Sequence, residues 1–213
     1  MNKDGLPTDI FYLIRTGKKK EINDLIDSNG FDVNQKDTIG NDVVSRLVLD
    51  GFYEEALKLV NKKSWNINNI NINGDSIIHI LGLKNNLGSM KVFNEIIKKK
   101  KLDLNIVNNN NLRSIDITIS NNNLYMTLNI LKKSDLNNMD EDLLKKIFNK
   151  FIYNDSYGKY SKISNLETII DSFNHKKLSY KIRRIINKIR DNFNLIKENI
   201  MNNNINIINT IMV

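Results

Sequence analysis

Residues that commonly end short helices recur along the first 122 residues of the chain at nearly constant spacing. Gly17, Gly51, Asn85 and Asn122 each close an aliphatic run of similar length. They follow one another at intervals of 34, 34 and 37 residues. Glycine and asparagine are the residues that tolerate the left-handed conformation at the end of a helix. The spacing therefore predicts four short helices that end in the same kind of turn.

A second recurrence agrees with the first. Residues 31–34, 65–68, 102–105 and 134–137 share an aspartate or asparagine, then an aliphatic residue and a final asparagine. Apolar residues at helical spacing lie between the two recurrences and predict a second helix in each repeat. Because one such helix pair cannot bury its own apolar face, we expect the repeats to stack on one another.

The repeat of a turn and two short helices resembles the ankyrin repeat. The signature of that family, Gly-x-Thr-Pro-Leu-His-x-Ala, falls on residues 40–47, 74–81 and 111–118, with the proline absent and the histidine present once. The resemblance implies an all-α helical solenoid of four or five degenerate repeats within residues 5–138, at about 5–34, 35–68, 69–105 and 106–138. It also implies structural roles for Gly17, Gly40, Gly51, Gly74 and His79.

The period fails after residue 138. Helices are predicted over residues 140–151 and 164–173, and an aliphatic stripe over residues 178–200 predicts one helix of about six turns. We interpret residues 139–201 as a C-terminal helical cap, which covers the exposed end of the stack, or as an extension that includes a fifth repeat. Residues 202–213 form a tail of alternating asparagine and isoleucine.

Composition limits the classes of function. With 40% hydrophobic and 26% charged residues, the chain is expected to fold. It has no cysteine, which excludes disulfides and cysteine-based zinc sites. No apolar run or signal core suggests a membrane span, so we expect an intracellular protein, cytoplasmic or nuclear. The abundance of Asn, Ile and Lys is typical of an AT-rich genome, as in many protists, microsporidia and endosymbionts.

No catalytic, cofactor-binding or metal-binding constellation is evident. The two histidines, His79 and His175, lie in different segments, and the acidic residues show no hydrolase or calcium-loop spacing. The enzyme class is therefore not favoured, and we expect neither a cofactor nor a small-molecule substrate. Trp65 is interpreted either as packing between repeats or as an exposed anchor for a partner.

In ankyrin proteins the concave face, made of turn tips and first helices, usually binds the partner. The resemblance therefore implies a protein-binding surface on turn-tip and first-helix residues: Lys36, Asp37, Thr38, Ile39, Arg46, Asp50, Asn69, Asn71, Asn73, Leu83, Lys84, Val107, Asn108, Asn109 and Asn110. Because these tips are mostly uncharged asparagines, hydrogen-bonded contacts with the partner are expected more than electrostatic capture.

The net charge of +8 is distributed unevenly. Basic residues are interleaved with acids until the segment at 181–190, where they lie opposite the aliphatic stripe. This basic patch consists of Lys181, Arg183, Arg184, Lys188 and Arg190. One interpretation is the solvated outer face of a capping helix. The alternatives are a nuclear-import or nucleic-acid site, and a site for an anionic partner or a membrane surface.

The sequence thus predicts a non-catalytic module that binds a partner protein on the concave ankyrin surface, as a scaffold or as a competitor. A host–pathogen interaction is one setting in which such a module would act. A nucleic-acid or ribonucleoprotein binder that uses the basic helix is the alternative class. A narrower alternative follows from residues 10–17, residues 74–79 and the lengthened third repeat. These resemble short viral inhibitor-κB-like ankyrin proteins, which bind Rel-type transcription factors.

Overall fold

The structure is a computed structural model that describes residues 9–134, 141–153, 158–173 and 179–202. Within these ranges the chain forms twelve α-helices and one π-helical segment, with isolated β-bridges but no strand. The prediction of an all-α fold is confirmed for these residues. The chain divides into two compact units, Met1–Asn121 and Asn122–Val213. The division falls inside the range predicted for the fourth repeat.

The first unit contains seven short helices in two rows. The first helix of each pair packs on the next first helix, α1 on α3, α3 on α5 and α5 on α7. The second helices do the same, α2 on α4 and α4 on α6. The helices are α1 (Ile10–Arg15), α2 (Lys19–Ile26), α3 (Val43–Leu49), α4 (Tyr53–Leu59), α5 (Ile77–Gly82), α6 (Leu87–Ile97) and α7 (Ser114–Ser120).

Packing rather than intrinsic propensity stabilises these helices. Isolated helices shorter than about 12 residues are marginal in water, and α3 and α5 have seven and six residues. Most residues of both helices are buried, including the aliphatic pairs Val43–Val44 and Ile77–Ile78, because each first helix lies between neighbours on several sides. Each short helix is therefore stable only as part of the stack.

The predicted left-handed helix stops are present at three of four positions. Gly17, Gly51 and Asn122 have φ angles of 70°, 85° and 59°. The prediction was wrong at Asn85, which is absent from the residues with positive φ in the described part of the chain. There the connection is set instead by the start of α6, where the Asn86 side chain accepts a hydrogen bond from the Ser89 N–H at 2.9 Å.

A β-hairpin-like turn, here called a finger, precedes each of α3, α5 and α7. The three fingers are closed by antiparallel bridges between Lys36 and Asp42, Ile70 and Ser76, and Val107 and Arg113. Each bridge ends at the N-cap of the following helix. The predicted turn of the repeat is therefore a finger that leads directly into a first helix.

Of the four asparagines that end the second sequence recurrence, Asn34 and Asn68 connect neighbouring repeats, and Asn137 lies outside the described residues. Asn34 donates through Nδ2 to the Ser64 carbonyl at 2.7 Å and accepts the Asn66 N–H at 2.8 Å. Asn68 makes the equivalent bonds one repeat later, to the Lys101 carbonyl at 2.8 Å and from the Asp103 N–H at 2.9 Å. Each amide thus fixes the loop of the following repeat, which explains why this position recurs.

The second unit is built from longer helices with continuous apolar faces. Helix α10 packs on α8, on the π-helical segment and on α12, and α11 packs on α12. Its elements are α8 (Leu124–Lys133), α9 (Glu141–Phe148), the π-helical segment (Asn149–Tyr153), α10 (Lys159–Ser172), α11 (Tyr180–Asp191) and α12 (Phe193–Met201).

The prediction of a single helix over residues 178–200 was wrong in one respect. It is two helices, α11 and α12, separated at Asn192. Asn192 donates through Nδ2 to the Lys188 carbonyl at 2.8 Å, but Asn199 makes the same bond inside unbroken α12, so this bond does not explain the break. The aliphatic stripe nevertheless stays buried on both helices, as at Ile189 and Ile196. The predicted tail spans residues 202–213, of which 203–213 lie outside the described residues. Residues 5–8, at the start of the predicted first repeat, also lie outside them.

Candidate partner-binding surface

The fingers of the first unit carry most of the residues predicted to bind a partner. Side chains at Lys36, Thr38 and Ile39 are exposed on the first finger, and Asn73 and Val107 are exposed on the next two. Asn109 and Asn110 are also exposed. The structure therefore brings the predicted tip residues together on one row of three equivalent fingers.

One residue near the base of each finger holds the loop in shape. The Oδ1 atom of Asp37 accepts the N–H groups of Ile39 and Asn41 at 3.0 and 2.9 Å. Asn71 and Asn108 accept the two equivalent N–H groups of their own fingers, at 2.9 to 3.1 Å. Such bonds satisfy backbone donors that the tight turn leaves without a helical or strand partner.

The same asparagines also join each finger to the preceding one. Asn71 donates through Nδ2 to Asn41 Oδ1 at 3.0 Å, and Asn108 donates to Asp75 Oδ1 at 2.8 Å. Asn69 and Asn109 donate to finger carbonyls of the preceding repeat at 3.3 and 2.9 Å. The side-chain amides of these predicted contact residues therefore form hydrogen bonds within the chain.

Two glycines allow the fingers to approach closely. Gly40 and Gly74 have φ angles of 81° and 75°. A Cβ atom on Gly74 would lie 2.8 Å from Asn109 Oδ1 and 3.0 Å from the Asn108 Cα atom. On Gly40 it would lie 3.2 Å from the Asn71 Cα atom. Both glycines are thus required by the turn and by the neighbouring finger.

The predicted first-helix residues are also engaged within the chain. Arg46 donates to both carboxylate oxygens of Asp50, at 2.8 and 3.2 Å, and lies 3.7 Å from Asp37. Lys84 donates to the Leu49 carbonyl of the preceding repeat at 3.0 Å. Leu83 is different, because 54% of its surface is exposed.

The fingers expose an apolar strip that the sequence analysis identified only in part. The strip consists of Ile70, Ile72, Val107 and Leu112, which are 47%, 63%, 47% and 38% exposed. Of these only Val107 was predicted. Ile70 and Val107 share the bridge position that Lys36 holds on the first finger. Alignment of the three bridge positions in the sequence would have identified Ile70 as the equivalent of Lys36 and Val107.

His79 connects one finger to the next rather than forming a site. Its Nδ1 accepts the Ser76 backbone N–H at 3.2 Å, and its Nε2 lies 3.1 Å from the Leu112 carbonyl. These partners require a neutral ring with the proton on Nε2. Burial lowers the pKa of His79, against the opposing effect of the Leu112 carbonyl and Asp75.

Trp65 is buried and pairs with the N-cap of a first helix. Its indole N–H donates to Asp42 Oδ2 at 2.9 Å, while Oδ1 of Asp42 accepts the Ser45 N–H at 2.7 Å. Burial raises the pKa of Asp42, although both hydrogen bonds oppose the shift. The only tryptophan of the chain therefore packs inside the first unit.

The predicted basic patch lies entirely on α11 in the second unit. Lys181, Arg183 and Arg184 are exposed, and Lys188 and Arg190 are half-buried. Lys181 forms an ion pair of 2.5 Å with Glu141 of α9. Hydrogen bonds from Lys145 and Lys181 lower the pKa of Glu141 to about 2.

No family model matches the chain, and no curated protein matches it. In the described ranges no three or more His, Asp or Glu residues are grouped so as to hold a metal ion. Among the same residues no helix has both the length and the apolarity needed to cross a bilayer.

Proposed function

We propose that the protein is a non-catalytic module that binds a partner protein, and that the apolar strip of the fingers is its docking surface. Single exposed apolar residues are common on protein surfaces and need no explanation. Ile70 and Val107, however, occupy the same position on adjacent fingers. Ile72 and Leu112 are exposed at other positions of the same two fingers. This recurrence of exposed aliphatic side chains at one register carries the proposal.

Rigidity of the fingers supports this role. Backbone bonds join successive fingers, from the Ile72 N–H to the Ile39 carbonyl at 3.0 Å and from the Asn109 N–H to the Asn73 carbonyl at 2.9 Å. A preorganised surface loses little conformational entropy when it binds. The exposed aliphatic side chains are therefore held at fixed spacing before a partner arrives.

The fold that fits this function is an ankyrin-type solenoid. First helices that recur at intervals of 33 to 37 residues, three of them entered through a finger, support this fold. Ankyrin proteins typically bind through their fingers and first helices, and the strip with Leu83 lies on those elements. The inhibitor-κB-like alternative is a special case of this proposal.

Affinity capture from the native host with mass spectrometry tests the proposal. The wild-type chain is compared with a strip variant, Ile70→Ser, Ile72→Ser and Val107→Ser, and with Leu87→Ser. Leu87 is 78% exposed at the start of α6 and lies off the fingers, so it controls for a general loss of surface hydrophobicity. We expect one partner to be lost with the strip variant and kept with Leu87→Ser. Recovery of chaperones alone, or equal capture by all three chains, would contradict the proposal.

A further inference from the structure

The charged residues of the three fingers differ in how they are engaged. They are Lys36, Asp37, Asp42, Asp75 and Arg113. The three aspartates accept hydrogen bonds from N–H groups of the same unit at 2.7 to 3.0 Å, and Arg113 donates to Asp116 at 3.2 Å. Lys36 is exposed, and its ammonium group forms no hydrogen bond or ion pair with the residues that the structure describes. Within the described part of the fingers, its charge is therefore available to a partner.

Lys36 occupies the position that Ile70 and Val107 hold on the next two fingers. Each of these residues is one side of the antiparallel bridge that closes its finger. Backbone hydrogen bonds join successive fingers, so the three positions follow one another along the row. From the first finger to the third, the row therefore presents one cation and then two aliphatic side chains.

The exposed aliphatic surface is also concentrated on the second and third fingers. Ile72 and Leu112 add to it there, with 63% and 38% of their surfaces exposed, whereas the first finger exposes Ile39 alone among its large hydrophobic residues, at 39%. Other exposed tip residues of the later fingers, such as Asn73 and Asn110, are uncharged. The surface thus has a basic end and an apolar end.

The carboxylate across the bridge from Lys36 does not neutralise it. Asp42 is 1% exposed, and its two oxygens accept the Ser45 N–H and the Trp65 indole N–H. Burial raises the pKa of Asp42, and the charge of Lys36 opposes this shift less than the bonds from Ser45 and Trp65 do. Lys36 therefore acts on Asp42 from a distance, without an ion pair between them.

We propose that the fingers bind a linear segment of the partner protein that carries one carboxylate followed by two aliphatic side chains. The carboxylate pairs with Lys36, and the aliphatic side chains pack on Ile70 and Val107. This inference rests on the proposed function, because it names the chemistry of the segment that docks on the apolar strip. Burial of the aliphatic side chains supplies most of the affinity. The ion pair fixes the direction and register of the segment, as charges at the edge of an interface do.

Selection of short random peptides displayed on phage tests the proposal. The wild-type chain should enrich peptides in which an aspartate or glutamate precedes two aliphatic residues at a fixed spacing. Lys36→Glu should enrich a lysine or arginine at that place, with the same aliphatic pair. Lys63→Glu is the matched control, because Lys63 is exposed in the loop after α4, away from the fingers, and carries the same charge. It should enrich the wild-type motif, which excludes selection by net charge alone.

Synthetic copies of the enriched peptide measure the effect. Lys36→Gln, which adds no negative charge beside Asp42, should weaken binding about two- to fivefold, the range of an exposed ion pair. A peptide with lysine in place of the acid should bind wild type more weakly and Lys36→Glu more tightly.

The possible failures separate the inference from the proposed function. Enrichment of the aliphatic pair without an acid, or of the same acidic motif by Lys36→Glu, would overturn the inference and leave the proposed function standing. Failure to enrich any peptide would also overturn it, since a linear segment would then be insufficient. Peptides that bind equally well after Ile70→Ser and Val107→Ser would contradict the proposed function itself.

Discussion

Asn68 in the first unit and Asn199 in the second have the same side-chain amide group, but they form different kinds of hydrogen bond with it. Asn68 donates to the Lys101 carbonyl, 33 residues away in the next repeat. Asn199 donates to the Leu195 carbonyl, four residues back in its own helix. Asn34 and His79 in the first unit also bond to the following repeat. In the second unit Asn123 accepts from the Met126 N–H at 3.0 Å in the first turn of its own helix.

This difference follows from helix length. Helices of six or seven residues bury too little surface to fix their own spacing, so polar side chains set the distance between repeats. The helix α10, with 14 residues, packs through a longer apolar face that includes Leu166 and Ile169. Polar residues that recur in the first unit are therefore mostly structural. Polar residues that do not recur, such as Lys36 at the bridge position, are better guides to function.

The largest expected effect tests the close approach of the fingers. Gly74→Ala should lower the free energy of unfolding by about 2 to 5 kcal/mol, the sum of left-handed strain and overpacking against Asn108 and Asn109. Gly51→Ala is the matched control, because its φ is 85° but no atom lies within 4 Å of the added Cβ. It should cost only about 1 to 2 kcal/mol. Equal losses in urea denaturation would show that contact between fingers contributes nothing.

The next effect concerns the pair of Asp42 and Trp65. Asp42→Ala removes the N-cap of α3 and leaves the buried indole N–H without an acceptor, which should cost about 2 to 3 kcal/mol. Asp42→Asn keeps one acceptor oxygen but turns its NH2 group toward the second donor, so it should lose one of the two bonds and cost about 1 to 2 kcal/mol at neutral pH, less than alanine. Denaturation followed by Trp65 fluorescence measures both. A larger loss with asparagine than with alanine would contradict this account.

His79 should make the first unit sensitive to acid. Its pKa is lowered in the folded state, so the unfolded chain binds the proton more readily. Its contribution to stability is complete above the unfolded pKa and is lost as pH falls below it, so the free energy of unfolding should decrease as pH falls below about 6.5. His79→Ala should remove this dependence and cost about 1 to 3 kcal/mol at neutral pH. His175→Gln is the control, and it should leave the pH profile in place; a profile that follows His175 instead would refute the assignment.

The smallest expected effect is a gain. Ser114 begins α7 at the position that Val43 and Ile77 hold in the preceding repeats, and its buried hydroxyl has no hydrogen-bond partner. Ser114→Val should raise the free energy of unfolding by about 1 kcal/mol, because a buried polar group without a partner is removed. Ser114→Ala separates loss of the hydroxyl from added packing. A destabilised alanine variant in thermal unfolding would show that the hydroxyl is satisfied.

The recurrence of helices was predictable because it depends on local chemistry. Glycine and asparagine at fixed spacing mark helix ends whatever the neighbours are, and the prediction held at Gly17, Gly51 and Asn122. It was wrong at Asn85, where the cap at Asn86 sets the connection, and the break at Asn192 was not foreseen. The cap at Asn86 depends on a side-chain bond to the backbone that an aliphatic pattern does not reveal.

The candidate surface was only partly predictable for a similar reason. Sequence alone shows that the tips are rich in asparagine, but not that the amides of Asn71 and Asn108 bond to the preceding finger. Nor does it show which aliphatic residues at the bridges remain exposed. The position of the five basic residues on α11, opposite the aliphatic stripe, follows from helical spacing, but the half-burial of Lys188 and Arg190 does not.

Hydrogen exchange at the Asp103 amide tests the central claim, that polar side chains of the first unit hold neighbouring repeats together. Asn68 Oδ1 accepts this N–H at 2.9 Å across the repeat boundary. With Asn68→Ala, the account predicts faster exchange at Asp103, whereas Asn199→Ala in the second unit should affect only α12. Unchanged exchange at Asp103 in the Asn68→Ala variant would contradict the claim.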